Sequence, residues 1–321
     1  MNMPPLASET VVVEETKHNL FRDLLILSKP RISVMVLLTV AVAGLISAPP
    51  EARLVPLLHA MFGLLLVSAS GCAINQYLER YVDWLMPRTA KRPLPDQRLT
   101  ATQVAVFGAV TLGVGLTWLV TLVNWQSAVV AAATWIVYVA IYTPLKPRTW
   151  LNTFVGAVAG ALPVLIGSTA MVDGQLTVAA WLLFAVLYIW QFPHFMAIAW
   201  LYREDYLAGK LRMASTESDS RALTGRVATL FAVILIPLTA LAMWPATAWQ
   251  VVMLVLTLLL GFWYLAAARQ FQKQVGDIRA RRLFRVSLLY LPGYLTLLSL
   301  ATALPGPSPG LAVAIFTGGS G

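Results

Sequence analysis

Three polar residues at helical spacing mark the end of a long apolar stretch. Asn75, Glu79 and Asp83 follow one another at intervals of four residues. On an α-helix they fall within about 80° of one another, so they share one face. Two carboxylates that face the same way suit a divalent cation, and Mg²⁺ is usually held by one or two carboxylates together with substrate phosphates. The spacing predicts a cation-binding face, with a solvated helix end as the alternative.

Basic residues follow this face directly. Arg88, Lys91 and Arg92 stand in the segment RTAKRP, just beyond Asp83. Guanidinium groups bind phosphate through paired hydrogen bonds. Ionisable groups inside or beside a membrane span are energetically expensive and usually functional. Acid next to base at this position therefore predicts a site for a phosphate group bound together with a divalent cation.

A second acidic segment, from Trp190 to Met213, carries His194, Glu204 and Asp205. The interval between His194 and Asp205 corresponds to about 20° on a continuous helix, which predicts that one stripe carries both at different depths. Glu204 and Asp205 are expected opposite the first carboxylates, so that the two segments form a two-sided cage around a cation. The alternative for Glu204 is a solvated loop residue.

His194 leaves several alternatives open. It follows Pro193 within an apolar stretch, and a proline inside a helix frees a backbone carbonyl oxygen. A neutral imidazole in this position ligates a metal or a haem iron, acts as a base, or donates a hydrogen bond to that carbonyl. The sequence favours a functional role over the simple hydrogen bond.

The segment IYTPLKPRTWLN brings further polar side chains together at the end of another apolar stretch. It contains Tyr142, Lys146, Arg148 and Asn152. Arg148 is accounted for by the positive charge that ordinary loops on the inner side of a membrane carry. That explanation fits the pair of Tyr142 and Lys146 less well.

The elements that position these residues are predicted to be membrane-spanning helices. Of the 321 residues, 59% are hydrophobic and 12% are charged, and the mean hydropathy is +0.74. These values indicate an all-α polytopic membrane protein and exclude a soluble domain. At about 20 residues per span, nine helices are predicted, at residues 31–48, 54–78, 100–122, 126–144, 152–171, 177–202, 225–245, 247–267 and 283–304.

The distribution of Lys and Arg predicts the orientation. All of the 23 basic residues except Arg53 fall on one side of the predicted spans, and the positive-inside rule makes that side cytoplasmic. Residues 1–28 are then a cytoplasmic segment, residues 29–304 the transmembrane domain, and residues 305–321 a short tail outside. The net charge of +9 reflects topology and contact with anionic lipid, so no nucleic-acid partner is expected.

The cysteine count and the first residues narrow the location. Cys72 is the single cysteine and lies in a predicted span, which excludes a disulfide framework and a thiolate metal site. Residues 1–20 contain three glutamates and no arginine, unlike a secretory signal or a mitochondrial transit peptide. A bacterial inner membrane is therefore expected.

In these motifs the chain resembles the UbiA superfamily of intramembrane aromatic prenyltransferases, and within it the haem O synthase branch. The similarity runs nearly end to end. It includes the Asn75, Glu79 and Asp83 array and, in chain order, the segments SKPRISVMVLLT, RTAKRPLP, YTPLKPRTWLN, PVLIGSTA, PHF, EDYLAG and ARRLFRVSLLYLP. The array is typical of the whole superfamily, whereas the arginines after it, PHF and DYLAG resemble the haem branch.

The resemblance implies an Mg-dependent enzyme whose helices surround a lipid-accessible central cavity. The residues it assigns to Mg²⁺ and farnesyl diphosphate are Asn75, Glu79 and Asp83, with Asp205 from the other side, and the metal ligands among them are Glu79, Asp83 and Asp205. Those it assigns to steadying the diphosphate are Arg88, Arg92, Tyr142 and Lys146. His194 is the candidate haem-binding residue.

The implied reaction joins farnesyl diphosphate to the vinyl group of protohaem IX and gives haem O for haem–copper oxidase biogenesis. Membrane lipid, haem A synthase and oxidase assembly factors are the further partners expected. The chain departs from the branch at Glu79, where Asp is frequent, and after Gly209, where LRMASTESDS replaces the usual Met-Leu-Pro. The alternatives are a superfamily member with a quinone-precursor acceptor, and a transporter of an organic anion.

Overall fold

The computed structural model describes residues 19–49, 51–243 and 247–303, and these ranges contain helices and connections but no β-strand. A π-helix, Val137–Tyr142, joins α5 to α6, and a 3-10 turn, Ala214–Thr216, precedes α11. The α-helices are α1 Leu20–Leu27, α2 Pro30–Ser47, α3 Val55–Leu85, α4 Ala101–Leu122, α5 Trp125–Ile136, α6 Thr143–Leu145, α7 Asn152–Ala161, α8 Pro163–Met171, α9 Val178–Leu201, α10 Arg203–Ala208, α11 Ser220–Ala242, α12 Ala248–Lys273 and α13 Asp277–Ala303.

Within these ranges, nine helical segments are long and apolar enough to span a membrane, which confirms the predicted number. The segment from α5 through α6 forms one span, and α7 with α8 forms another. The chain is a multi-pass membrane protein. Helices continue beyond the apolar stretches that predicted them: α3 ends at Leu85, α11 begins at Ser220 and α13 at Asp277. Polar turns extend a helix past the hydrocarbon, so hydropathy alone underestimates its length.

The helices pack with large side chains both inside and outside the bundle. Neighbouring pairs include α3 with α4, α2 with α8, α9 with α11, and α12 with α11 and α13. Tyr264, Tyr290 and Phe192 are fully buried between them. Leu259 and Phe262 are instead exposed on the outer surface of α12. A helix that is apolar on all sides belongs in a membrane, where the outer face contacts lipid.

Glycines allow α2 and α8 to approach closely. A Cβ atom added to Gly167 would contact the Val40 carbonyl oxygen and would lie 2.7 Å from the Gly44 nitrogen. Both atoms belong to the backbone and cannot rotate away. In lipid there is no hydrophobic driving force between helices. Small residues at such crossings allow the close van der Waals packing that stabilises the helix pair instead.

The sixth span does not continue into the second acidic segment as one helix. α9 ends at Leu201, and Tyr202 leaves the helical region with φ −112° and ψ 23° before α10 begins at Arg203. The prediction that His194 and Asp205 lie on one stripe is therefore wrong. The change of backbone direction at Tyr202 reorients α10, so helical periodicity cannot be carried across it.

The predicted tail at 305–321 and residues 1–18 of the predicted cytoplasmic segment lie outside the described residues. The remainder of that segment contains α1, which the hydropathy pattern did not predict. The Asn19 side chain caps it by accepting from the Arg22 nitrogen at 3.2 Å. Phe21 is 75% exposed, whereas Asp23 is buried and forms an ion pair with Arg98 at 2.6 Å. This pair fixes α1 to the connection after α3.

Candidate active site

One buried face of α3 carries the three polar residues that the spacing singled out. Asn75 is 1% exposed, Glu79 9% and Asp83 0%, and all three belong to the same 31-residue helix. The Asn75 side chain donates to Thr143 Oγ1 at 3.0 Å. Because buried ionised groups must be paired, the partners of these side chains determine what the face can bind.

Each carboxylate of the candidate site lies against a cation from another segment. Lys146 Nζ is 2.7 Å from Glu79 Oε1. Arg92 Nη1 is 2.6 Å from Asp83 Oδ2. At the edge of the site, Arg88 Nε is 3.8 Å from Asp205 Oδ2. The fold thus brings together acids and bases that are far apart in the chain.

The connection between α3 and α4 holds both arginines in place. Thr89 is buried, and its hydroxyl donates to the Asp83 carbonyl at 2.8 Å. The Arg92 carbonyl accepts from the Asp96 nitrogen at 3.0 Å. These local bonds turn the chain back over the end of α3, so Arg92 faces Asp83 on that helix, whereas Arg88 faces Asp205 on α10.

Tyr142 and Lys146 reach the site from the end of the fourth span. Tyr142 ends the π-helix and stacks on Tyr138 with ring centroids 5.8 Å apart. Lys146 Nζ lies 4.7 Å from the centre of the Tyr142 ring. A Cβ atom on Gly156 would lie 2.7 Å from Tyr142 Cε2, so glycine leaves the space that the ring fills. A π-helical turn shifts side chains relative to an α-helix and is frequent at functional sites.

The segment after α10 holds the backbone of Lys146. The Arg212 nitrogen donates to the Lys146 carbonyl at 2.8 Å. The buried Asn152 side chain donates to the Arg212 carbonyl at 2.8 Å. Burial lowers the pKa of Lys146, but Tyr142 and Glu79 outweigh burial and leave that pKa above its ordinary value. The residue is therefore a fixed positive charge.

The two acidic residues of α10 have different surroundings. Glu204 has a side chain that is 87% exposed and forms an ion pair with the adjacent Arg203 at 3.5 Å, so the predicted alternative of a solvated residue describes it. The side chain of Asp205 is 17% exposed and faces Arg88. The Arg88 guanidinium also lies 4.5 Å from the centre of the Tyr202 ring. The contact of Asp205 with the site is thus made through Arg88.

The donor atoms fit a divalent cation at Asp83 and Glu79. Asp83 Oδ1 is buried and accepts no hydrogen bond from the described residues. Across those residues, no group of three or more His, Cys, Asp or Glu side chains gathers around one point, so the second side of the predicted cage is not seen. Two carboxylates are nevertheless sufficient for Mg²⁺ when substrate phosphates complete its oxygen ligands.

Lys29 is a site residue that the sequence interpretation missed. In the sequence it is one of the predicted cytoplasmic charges and part of the segment SKPRISVMVLLT, without a role in the predicted site. Its Nζ donates to Asn75 Oδ1 at 3.5 Å. Burial lowers the pKa of Lys29, as do the charges of Arg92 and Lys146, whereas Cys72 and Glu79 raise it. The signal in the sequence was a lysine directly before the proline that begins the first span.

His194 lies on a different interface, between α9 and α13. Its Nδ1 is 2.7 Å from Ser287 Oγ. Its ring stacks on Trp190 and Phe284, with centroids 5.2 Å and 5.1 Å away. Ser287 Oγ donates to the Phe284 carbonyl at 2.6 Å, so it accepts from His194 Nδ1–H. This tautomer leaves the lone pair of the ring on Nε2.

Comparison of the sequence with known protein families identifies the family of this chain. The UbiA prenyltransferase family matches residues 36–291, a range that contains the α3 carboxylates, Lys146 and Asp205. The chain belongs to the UbiA prenyltransferase family.

The sequence relatives cover most of the chain. A protohaem IX farnesyltransferase of Rhodopirellula baltica is 38% identical over 87% of this chain and 99% of its own length. One from Solibacter usitatus is 37% identical over 84% and 95%. The mitochondrial protohaem IX farnesyltransferase of Arabidopsis thaliana is 33% identical over 91% of this chain and 67% of its own.

Solved structures share the fold of this UbiA family member. A digeranylgeranylglyceryl phosphate synthase aligns with a TM-score of 0.69 at 16% identity, covering 88% of this chain and 97% of its own. A UbiA homologue of Archaeoglobus fulgidus bound to GPP and Mg²⁺ aligns with a TM-score of 0.66 at 16% identity, covering 86% and 99%. At this identity the likeness shows that the helical architecture is common to the family.

Proposed function

We propose that this chain transfers the farnesyl group of farnesyl diphosphate to a vinyl group of protohaem IX, which gives haem O and diphosphate. The observation that carries the proposal is the buried cluster in which Glu79 and Asp83 each lie within 2.7 Å of a cation. The cluster suits a diphosphate bound with a divalent cation. Relatives that align over most of the chain are protohaem IX farnesyltransferases, and they suggest the acceptor.

The basic residues act on the leaving group. As the bond between C1 of the farnesyl group and its diphosphate oxygen breaks, both electrons stay on the diphosphate. Lys146, Arg92 and Arg88 stabilise that charge as positioned cations, and Tyr142 orients Lys146. Asp83 and Glu79, with Asn75 beside them, would hold Mg²⁺, which would neutralise part of that charge as a Lewis acid. Asp205 acts by positioning Arg88.

The acceptor then reacts with the allylic carbon. The terminal carbon of the vinyl group forms a bond to farnesyl C1, which leaves a positive charge on the vinyl carbon next to the porphyrin ring. Water adds to that carbon and loses a proton, which gives the hydroxyethylfarnesyl group. Apolar and aromatic helices must keep water from the allylic centre until the carbon–carbon bond has formed.

His194 is proposed as the residue that binds haem. Its Nδ1 is occupied by Ser287, which orients the ring and leaves Nε2 as a neutral ligand for iron. A hydrogen bond on the other ring nitrogen is the usual way in which a protein fixes the tautomer of a ligating histidine. Ring stacking against Trp190 and Phe284 restricts the imidazole further.

The orientation in the membrane is inferred from the distribution of the basic residues. We infer a bacterial inner membrane, with the ends of the helices that carry the α3 carboxylates, Lys146 and α10 on the cytoplasmic side, because the basic connections share that side. The N-terminus is then cytoplasmic and the C-terminus outside. An association with haem A synthase or oxidase assembly factors stays a prediction from the family resemblance.

The proposed function is tested by identifying the haem product that the protein forms. We expect that a bacterial strain lacking its own haem O synthase makes haem O when it expresses this chain, as detected by mass spectrometry of extracted haems. The purified protein should form haem O from haem and farnesyl diphosphate and should lose this activity when Mg²⁺ is chelated. Prenylation of 4-hydroxybenzoate without any haem product would replace the acceptor. Transport of an organic anion without prenyl transfer would overturn the enzyme assignment.

A further inference from the structure

The junction between α1 and α2 closes one side of the candidate site. Lys29 connects the two helices with φ 49° and ψ 60°, a left-handed conformation directly before Pro30. Such a backbone is unfavourable for a residue with a side chain, and strain of this kind persists only where the surroundings enforce it. The junction is therefore held in position.

Contacts with α3 and the following connection enforce the junction. The buried Gln76 side chain donates to the Leu27 carbonyl at 2.8 Å. Asp23, on the preceding helix, forms its ion pair with Arg98 at 2.6 Å. Both contacts are made by buried groups. They direct the Lys29 side chain towards Asn75, one turn of helix before Glu79.

Lys29 differs from the other site cations in its lack of an acidic partner. Lys146 and Arg92 each have a carboxylate oxygen within 2.7 Å. No Asp or Glu oxygen of residues 19–49, 51–243 and 247–303 lies within 4.0 Å of Lys29 Nζ. Its hydrogen bond to Asn75 is 3.5 Å long, beyond the usual range for N–H···O bonds. The ammonium is half-buried with no carboxylate in ion-pair contact among these residues, and Glu79 acts on it only from a greater distance.

The electrostatic surroundings make this arrangement unfavourable without an anion. Removal of an ammonium from water is expensive. The positive charges of Arg92 and Lys146 act on the same group, and together with burial they outweigh the opposing effect of Cys72 and Glu79. Glu79 and Asp83 are already matched by Lys146 and Arg92. An anion bound among these three cations would neutralise the charge that the protein leaves uncompensated.

We propose that Lys29 is a further binding residue for the diphosphate of the prenyl donor, contacting it from the α1–α2 junction beside Asn75. The inference rests on the proposed prenyl-diphosphate chemistry, but it does not depend on haem as the acceptor. It adds the α1–α2 junction to the elements that build the donor site and gives a reason for the strained lysine directly before the first span.

The test uses Lys29→Asn, because asparagine tolerates the left-handed conformation, and Lys29→Arg, which restores the charge. Arg31→Gln is the matched control, since Arg31 is exposed two residues further on. The full-length protein in detergent is titrated with a non-hydrolysable farnesyl diphosphate analogue and Mg²⁺. Thermal unfolding of each variant checks that it is folded.

Loss of one charge-assisted hydrogen bond should weaken analogue binding by about 10- to 100-fold in Lys29→Asn. The KM for farnesyl diphosphate should rise with an unchanged KM for haem, and Lys29→Arg should recover most of the affinity. Parent-like binding by folded Lys29→Asn would overturn the inference and leave the proposed function intact. No analogue binding by the parent would overturn both, whereas Lys29-dependent binding without haem O formation would overturn the acceptor alone.

Discussion

Asp83 is the most completely buried acid of the candidate site. Its Oδ2 is paired with Arg92 at 2.6 Å, and its Oδ1 is buried without a hydrogen bond from the described residues. One oxygen thus positions a cationic side chain, and the other is available to a metal. In the proposed function, Asp83 would hold both Arg92 and Mg²⁺, the two kinds of cation that would neutralise the diphosphate.

We expect Asp83→Asn to lower farnesyl transfer by at least about 100-fold, because it removes a metal ligand and the counter-charge of Arg92. The Mg²⁺ concentration that gives half-maximal activity should rise. Steady-state assays over a Mg²⁺ series measure both. Asp96→Asn is the control, since Asp96 pairs with Arg98 at the surface and should change the rate little. Parent-like Mg²⁺ dependence in Asp83→Asn would contradict the assignment.

His194 provides a residue-scale prediction for the acceptor. His194→Ala should weaken haem binding by about tenfold or more, because an iron ligand is lost, and should leave the KM for farnesyl diphosphate unchanged. Absorption spectra of bound haem report the ligand directly. His59→Ala is the matched control, since His59 packs against Trp118 with centroids 5.6 Å apart. Identical haem spectra for His194→Ala and the parent would exclude iron ligation.

At the scale of elements, the site depends on three irregularities of the helical backbone, each at or near the end of a membrane span. The π-helix that ends at Tyr142 sets the direction of that ring. The break at Tyr202 separates α9 from α10. The left-handed Lys29 separates α1 from α2. Each irregularity lies at the end of a span, where it turns polar side chains towards one region while the apolar parts of the helices stay regular.

Gly156 tests the packing of α7 on the π-helix. Gly156→Ala should displace the Tyr142 ring, raise the KM for farnesyl diphosphate and lower stability by about 1–3 kcal/mol through overpacking. Gly113→Ala is the control, since a Cβ there meets no atom within 4 Å and alanine favours helix. Kinetics and thermal unfolding in detergent distinguish the two. An unchanged KM in Gly156→Ala would show that the position of Tyr142 is not needed.

At the scale of the whole molecule, the distribution of charge predicts the topology. By their positions in the sequence, all of the 23 basic residues except Arg53 are predicted on one side of the spans, and the candidate site lies at the same ends of the helices. In the proposed orientation this side is cytoplasmic, so a diphosphate substrate from the cytoplasm would reach the site directly.

Cysteine accessibility tests this orientation. In a Cys72→Ser background the chain has no other cysteine, so a cysteine placed at Lys210 or at Asp173 reports one connection each. A membrane-impermeant thiol reagent added to intact cells should label Asp173→Cys and spare Lys210→Cys until the membrane is opened. The reverse pattern would place the basic connections outside and overturn the assigned topology.

The sequence was sufficient for features that depend on neighbours along the chain. Hydropathy identified the spans because each needs only a continuous apolar stretch. Helical spacing identified Asn75, Glu79 and Asp83 because all three stand on one uninterrupted helix. The same reasoning was wrong for His194 and Asp205, since the helix between them is broken.

The sequence by itself determined a multi-pass helical membrane protein with acidic and basic residues concentrated on one side, because hydrophobic length and charge are local properties. Only the tertiary structure decided which charges meet. It paired Glu79 with Lys146 and Asp83 with Arg92, brought Lys29 to Asn75 and placed His194 of α9 against Ser287 of α13. These contacts join residues that lie in different helices or connections, so helix packing and the backbone conformation between helices decide them.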